Sequence, residues 1–241
     1  MNVDLIRISF FIFLLFVLFA LESLIPKRKF RFSRFFRWKA NFSLVLVDAF
    51  ILKFFFPILA YGVAVFALNN ELGLFNAINF LGSSSYITIL LSFILLDLVI
   101  YIQHVMFHRI PFLWRYHRLH HSDLDLDFTS GFRFHPIEII ISMIIKCSAV
   151  LAIGAPPISV LFFEIILNAS SLFNHANLSI KKPIDSFLRI FIVTPDMHRI
   201  HHSIKDDETD SNFAFCLSLW DKLFGTYKGH PARGHKKMLL G

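Results

Sequence analysis

Three clusters of histidine carry most of the chemistry this chain could do: His104-x-x-x-His108, His117-x-x-His120-His121 and His198-x-x-His201-His202. The last two sit in nearly identical phrases, "YHRLHHSD" from Tyr116 and "MHRIHHSI" from Met197. Residues three and four apart share one face of an α-helix. Each triplet therefore spans an arc of about 100°, and His104 lies one turn from His108. Three such faces can offer eight imidazoles to a common point. Neutral imidazole is the commonest metal ligand and suits iron, zinc, copper and nickel. One ion takes about four to six ligands, so eight point to two ions. A b-type haem would leave most of these imidazoles idle, and histidines snorkelling to an interface give no reason for a repeated spacing.

The elements that position these residues must sit in a membrane. Hydrophobic residues make up 56% of the 241, only 17% are charged, Phe occurs 31 times and the mean hydropathy is +0.62. These values fit an integral membrane protein. Cys147 and Cys216 cannot form a disulfide framework or hold an iron–sulfur cluster alone. The net charge of +7 is spread between apolar runs, which fits lipid head groups and topology better than nucleic acid.

Leu5 to Ile25 is long enough to cross a hydrocarbon core of roughly 30 Å. Dense positive charge and no small-residue cleavage site follow it, so it reads as an anchor rather than a signal peptide. Lys27 to Lys39 holds seven Lys or Arg and no acid, which places it on the cytoplasmic side. Asn41 to Leu68 is a second span, kinked at Pro57, with Asp48 and Lys53 inside it. The loop Asn69 to Ser85 lacks Lys and Arg, as the far side should. Tyr86 to Gln103 is a third span. Ile137 to Ile153 and Ser159 to Phe173, separated by "GAPP", form a hairpin that dips in and returns, with Lys146 and Glu164 at awkward depth. Both triplets can face one side only if an even number of crossings separates them. The expected fold is an all-α polytopic membrane bundle of about four or five hydrophobic helices or hairpins, with a cytoplasmic helical cap that carries the dimetal site. Its expected divisions are 1–85 for the first spans and basic loop, 86–227 for the catalytic region, and 228–241 for a flexible tail.

No Glu-x-x-His or His-Glu-x-x-His occurs, so neither the carboxylate-bridged di-iron bundle nor the common metalloprotease pattern applies. An all-nitrogen ligand set at a lipid interface leaves two classes, oxygen activation on iron and hydrolysis on zinc.

The clusters, their order and their surroundings resemble the fatty acid hydroxylase superfamily, which includes the sterol desaturases. The similarity rests on "LWRYHRLHHSDLDLDFTSGFRFHPIE" from Leu113 to Glu138, on "FNHAN" from Phe173 to Asn177, and on "TPDMHRIHHS" and "DSNFAFCLSLWDKLFGTY" from Thr194 to Tyr227. It covers roughly Leu90 to Tyr227. Ala214 stands where a Gly commonly follows the Asn-aromatic pair. The resemblance implies a membrane-bound non-haem di-iron oxygenase that hydroxylates or desaturates an unactivated C–H bond of a lipid. It would use O2, two Fe ions (zinc a possible substitute) and a separate electron donor of cytochrome b5-like or ferredoxin type. The ligands it implies are His104, His108, His117, His120, His121, His198, His201 and His202, with His175 a ninth. No catalytic group beyond these is implied. A multi-pass protein of a bacterial inner membrane, its metal site facing the cytoplasm, is the expected setting.

Five more residues are candidate ligands or neighbours that orient them: His135, Asp97, Tyr101, Asn177 and Asp210. Asp97, Tyr101, His104 and His108 share one helix face, so Asp97 either orients an imidazole or pairs with an Arg or Lys. Arg118 and Arg199 point off the ligand face, towards Asp123, Asp125, Asp127 or Asp210. Trp114 and Trp220 suit a membrane boundary. His230 and His235 read as solvated surface. A zinc-dependent membrane hydrolase and a non-catalytic metal- or lipid-binding protein remain the alternatives.

Overall fold

A computed structural model describes residues 3–78 and 85–241, leaving out the side chain of Asp4. Residues 79–84, part of the expected far-side loop, lie outside the described residues. The chain folds as helices in the order α1 (Val3–Leu24), α2 (Arg34–Phe55), α3 (Ala60–Asn69), α4 (Leu74–Ala77), α5 (Tyr86–Arg109) and α6 (Pro111–His121). After a 3₁₀ turn at Phe128–Phe132 come α7 (Pro136–Ile153), α8 (Pro157–His175), α9 (Lys182–Leu188), α10 (Pro195–His201), α11 (Asp206–Thr209), α12 (Leu219–Leu223) and α13 (Gly234–Lys237). Among the described residues there is no strand, only isolated bridges such as Ser203 with Leu240.

Five helical segments are long and apolar enough to cross a membrane: Leu5–Leu24, Arg34–Ala77, Tyr86–Arg109, Pro136–Ile153 and Pro157–His175. The all-α polytopic bundle is therefore as expected. Phe16, Phe50 and Phe54 stand about 70% exposed on α1 and α2, as a lipid-facing surface should. α5 and α8 are the more enclosed spans, and they carry three of the histidines. Ala60 and Ala64 of α3 pack against Leu96, Val150 and Phe163. Small residues at that contact let the helices approach closely.

Several local expectations change. Pro57 breaks the second segment rather than kinking it: Phe56 ends α2 at φ −123° and ψ 86°, because a residue before proline is pushed out of the helical region. α2 begins already at Arg34, so part of the basic stretch is helical. The "GAPP" turn behaves as expected, with Gly154 left-handed at φ 69° as the cap of α7 and Pro157 opening α8. Lys146 is spared its isolation by Glu164, 3.4 Å away, and Glu164 also pairs with Arg7 of α1. This in-span cluster ties α1, α7 and α8 together.

Arg118 is exposed, and Arg199 is buried against Asp196. The acids expected to meet them are taken by α2: Arg37 Nη2 lies 2.8 Å from Asp123 and Nη1 lies 2.7 Å from Asp127. Asp125 instead accepts the backbone N–H of Arg31 at 2.6 Å and of Phe32 at 2.9 Å. Glu22, fully buried at the end of α1, accepts N–H donors from Phe128 and Asn177, each at 2.8 Å. The first two helices thus clamp the segments that follow α6 and α8.

The C-terminal stretch, expected as a flexible tail, docks. Met238 and Leu240 are buried with Leu126, and Gly241 N donates to the carbonyl of His202 at 3.3 Å. His230 is exposed as expected, whereas His235 is mostly enclosed beside Asp196 and burial pushes its pKa down to about 4.

Candidate metal centre

Local sequence puts the histidines on short, well-started helices. Pro111 opens α6 at a position where its missing N–H costs nothing, and α6 ends in the first triplet. Thr194 caps α10, its hydroxyl accepting from Met197 N, with Pro195 next in line. α10 is only seven residues long, and His202 lies just past its end.

The structure brings all nine expected ligands together in two groups. His104, His108, His117, His121 and His201 form one; His120, His175, His198 and His202 form the other. Within each group the candidate ligand atoms lie within 4.8 Å of one another. Each triplet is divided between the groups. α6 sends His117 and His121 to the first and His120 to the second; α10 sends His201 to the first and His198 to the second, which His202 joins from just past its end. The nearest rings across the divide, His121 and His202, stack with centroids 4.4 Å apart.

Backbone carbonyls fix the ring orientations. His104 Nδ1 donates to Phe213 O at 2.6 Å, His175 Nδ1 to Ser171 O at 2.7 Å, and His201 Nδ1 to Ser211 O at 2.8 Å. His120 Nδ1 donates to Arg133 O at 3.3 Å, and His117 Nδ1 to the Glu138 carboxylate at 2.6 Å. A carbonyl oxygen only accepts, so the proton sits on Nδ1 and Nε2 carries a bare lone pair. The Nε2 atoms of His104, His108, His117 and His201 are buried with no partner among the described residues. His175 Nε2 stands 3.0 Å from Nε2 of both His120 and His202, and 3.2 Å from that of His198. For His120 and His175 this opposes lone pair to lone pair, which no hydrogen bond relieves. A cation bonded to each at about 2.1 Å does relieve it. The donor set therefore fits metal.

Electrostatics agree. Burial above all, and the neighbouring imidazoles after it, hold His117, His120, His121, His198, His201 and His202 well below the usual histidine range. Six rings outside the spans are thus neutral and able to ligate near pH 7.

The family model for fatty acid hydroxylase matches residues 89–226, more than half of the chain and all nine histidines. The chain belongs to the fatty acid hydroxylase family. Among curated relatives, ornithine lipid hydroxylase OlsE of Rhizobium tropici is 29% identical over 144 residues, covering 59% of this chain and 42% of that protein. The alkylglycerol monooxygenases of Homo sapiens and Xenopus tropicalis are 31% and 32% identical, each covering 57% of this chain and 30% of the relative. The chain thus spans less than half the length of these relatives. No solved structure matches it.

The remaining residues singled out in the sequence fall elsewhere. Asp97 neither orients an imidazole nor pairs with a cation: it accepts from Cys216 N, Leu217 N and Trp220 Nε1 at 3.3, 3.1 and 2.9 Å. Trp220 is accordingly buried rather than placed at a boundary, while Trp114 packs beside His108 and His121. Tyr101 shares a 2.9 Å hydrogen bond with Thr226. His135 caps α7, its Nδ1 accepting from Ile137 N, and Asn177 bonds the backbone of Arg28. Only Asp210 lies beside a ligand, 3.6 Å from His108 Nδ1.

Sequence reasoning missed the orienting groups. Glu138 stood in the quoted "HPIE" phrase without a role. Asp221 accepts from Phe213 N and Ala214 N at 2.8 and 3.0 Å, and so holds the carbonyl on which His104 rests. A buried carboxylate capping two N–H groups leaves no periodic signal.

Proposed function

We propose that this chain hydroxylates an unactivated C–H bond of a membrane lipid, at a pair of iron ions held by the nine histidines. The observation that carries this reading is the placing of the first histidine group against an apolar cavity. A cavity of about 330 Å³ lies among α2, α5, α7 and α8, with Val45, Ile100, Phe107 and Leu167 in its walls and His104 and His117 beside them. Most of its wall comes from membrane-spanning segments, with Gly131, Phe132, Phe134 and Phe215 supplying the rest, so an acyl chain or similar group can reach the histidines without crossing water.

The reaction consumes R–H, O2, two electrons and two protons, and yields R–OH and H2O. Bound iron supplies oxygen activation that no side chain can supply. The chain's own residues hold the ligands in place through carbonyls and Glu138, keep the site dry and align the lipid. The names of the relatives, a hydroxylase and monooxygenases, favour oxygen insertion over desaturation. The electrons come from a separate donor of cytochrome b5-like or ferredoxin type. The centre faces the cytoplasm: the basic stretch reaches the histidine end of the bundle, with Lys27 2.5 Å from Asp196 and Arg37 on Asp123.

Lipid analysis of cells with and without the gene, grown under labelled O2, tests the proposal. A lipid carrying one labelled oxygen is the expected product. Loss of two hydrogens without label would redirect the reading to desaturation. A cleavage product formed without O2 would replace it with zinc hydrolysis, and conversion unchanged in His120→Ala or His201→Ala would remove catalysis from this site. Zinc in purified protein decides nothing, because zinc outcompetes Fe(II) for nitrogen sites; activity restored by Fe(II) does.

A further inference from the structure

The cavity beside His104 and His117 is apolar in most of its wall, yet three helices each bring a hydrogen-bond acceptor to it. Asp48 comes from α2, Gln103 from α5 and Glu138 from α7. Each is at least nine-tenths buried, with Asp48 at 6% exposure, Gln103 at 9% and Glu138 at 3%. Each also leaves an oxygen without a donor among the described residues: Oδ1 of Asp48, Oε1 of Gln103 and Oε2 of Glu138. Two of the three have work elsewhere. Gln103 donates through Nε2 to Ser142 at 2.9 Å, and Glu138 accepts from His117 through Oε1. Asp48 has no hydrogen bond or ion pair at all among the described residues.

Lys146, the one cation lining this cavity among the described residues, sits against Glu164 rather than Asp48. A carboxyl buried inside a membrane span without a partner is costly, and three unmet acceptors around one cavity are costlier. No donor among the described residues meets them, which leaves that part to the occupant of the cavity.

We propose that the cavity selects lipids carrying a hydrogen-bond donor, a hydroxyl or an amine, close to the carbon that reacts, and that Asp48 holds that group. This rests on the reading of the cavity as the lipid site. A pure hydrocarbon chain would leave the acceptors unmet, whereas a donor-bearing lipid gains from each. The hydrogen bond to Asp48 then fixes how far the lipid enters, and so which C–H lies next to the histidines. Asp48 is a specificity-determining residue here, not a catalytic one.

Binding to the full chain in detergent tests this, using three probes of one chain length: hexadecane-1,2-diol, its dimethyl ether and hexadecylamine. The expected result is tighter binding of the diol or the amine than of the ether. In Asp48→Leu that preference should fall about tenfold, the size of one buried hydrogen bond, while ether binding stays as it was. Preference for the diol over the amine assigns a neutral hydroxyl; the reverse assigns a cationic group. Asp48→Asn keeps an acceptor and should keep diol binding, which separates recognition from packing. Without lipid, Asp48→Leu should melt no lower than the parent, since it removes an unpaired buried polar group. Equal binding of all three probes, or an equal loss of all three in Asp48→Leu, overturns the proposal and leaves the cavity as the lipid site. Binding of none overturns both.

Discussion

Nine imidazoles meet here, and five of them, His104, His117, His120, His175 and His201, rest Nδ1 on the protein while leaving Nε2 for a cation. Paired substitutions can separate the two groups. Replacing both His104 and His108 by Ala strips only the first group, and replacing both His175 and His198 strips only the second. Each pair should cut the metal content of purified protein to half, read by elemental analysis, if the groups are two centres. The same rings set a pH dependence. Six of them have pKa values pushed below the ordinary 6.5 by burial, so the unfolded chain binds more protons than the folded one as pH falls through that value. Stability is then present above about pH 6.5 and is lost on acidification. The melting temperature of chelator-treated protein should drop between pH 7 and pH 5, and should be flat from pH 7 to pH 8.

Among the elements, the 3₁₀ turn at Phe128–Phe132 is constrained by its close approach to α8. A Cβ on Gly131 would lie 2.6 Å from the carbonyl oxygen of Ser171, the same oxygen that accepts the hydrogen bond of His175. Gly131→Ala should therefore cost about 1–3 kcal/mol through overpacking and should also weaken metal held by the His120–His175 group. Thermal unfolding and metal analysis together check this. Arg37 of α2 is the other joint. Removing it in Arg37→Ala leaves Asp123 and Asp127 buried without their cation, a loss of about 3–5 kcal/mol, visible as a lowered melting temperature. These joints explain what was legible beforehand. The spans and the two triplets are periodic features of contiguous sequence; spacing singled out eight of the nine clustered histidines, and the family resemblance added His175. The carbonyls of Arg133, Ser171, Ser211 and Phe213 are backbone atoms of loops and helix ends, identical in every residue type, so only the tertiary fold reveals them. Asp97 shows the opposite failure: its helix face was read correctly, but its partners lie about 120 residues away in sequence.

At the scale of the whole molecule, the segment that follows α1 and the C-terminal stretch meet at the histidine end of the bundle. Arg28 donates to the carbonyl of Met238 at 3.0 Å, and Leu240 bridges to Ser203, next to His202. α1 and α2, which lie outside the matched family region, supply Glu22, Arg37 and Asp48 to the same end or to the cavity. The metal groups are thus framed by parts of the chain that carry no ligand themselves. The division of each triplet between the groups has a consequence for assembly. Seating an ion in either group orders both α6 and α10, and so prepares the neighbouring seat before anything occupies it. Loading should therefore be cooperative, with a sigmoidal Fe(II) titration of chelator-stripped protein and few molecules caught holding a single ion.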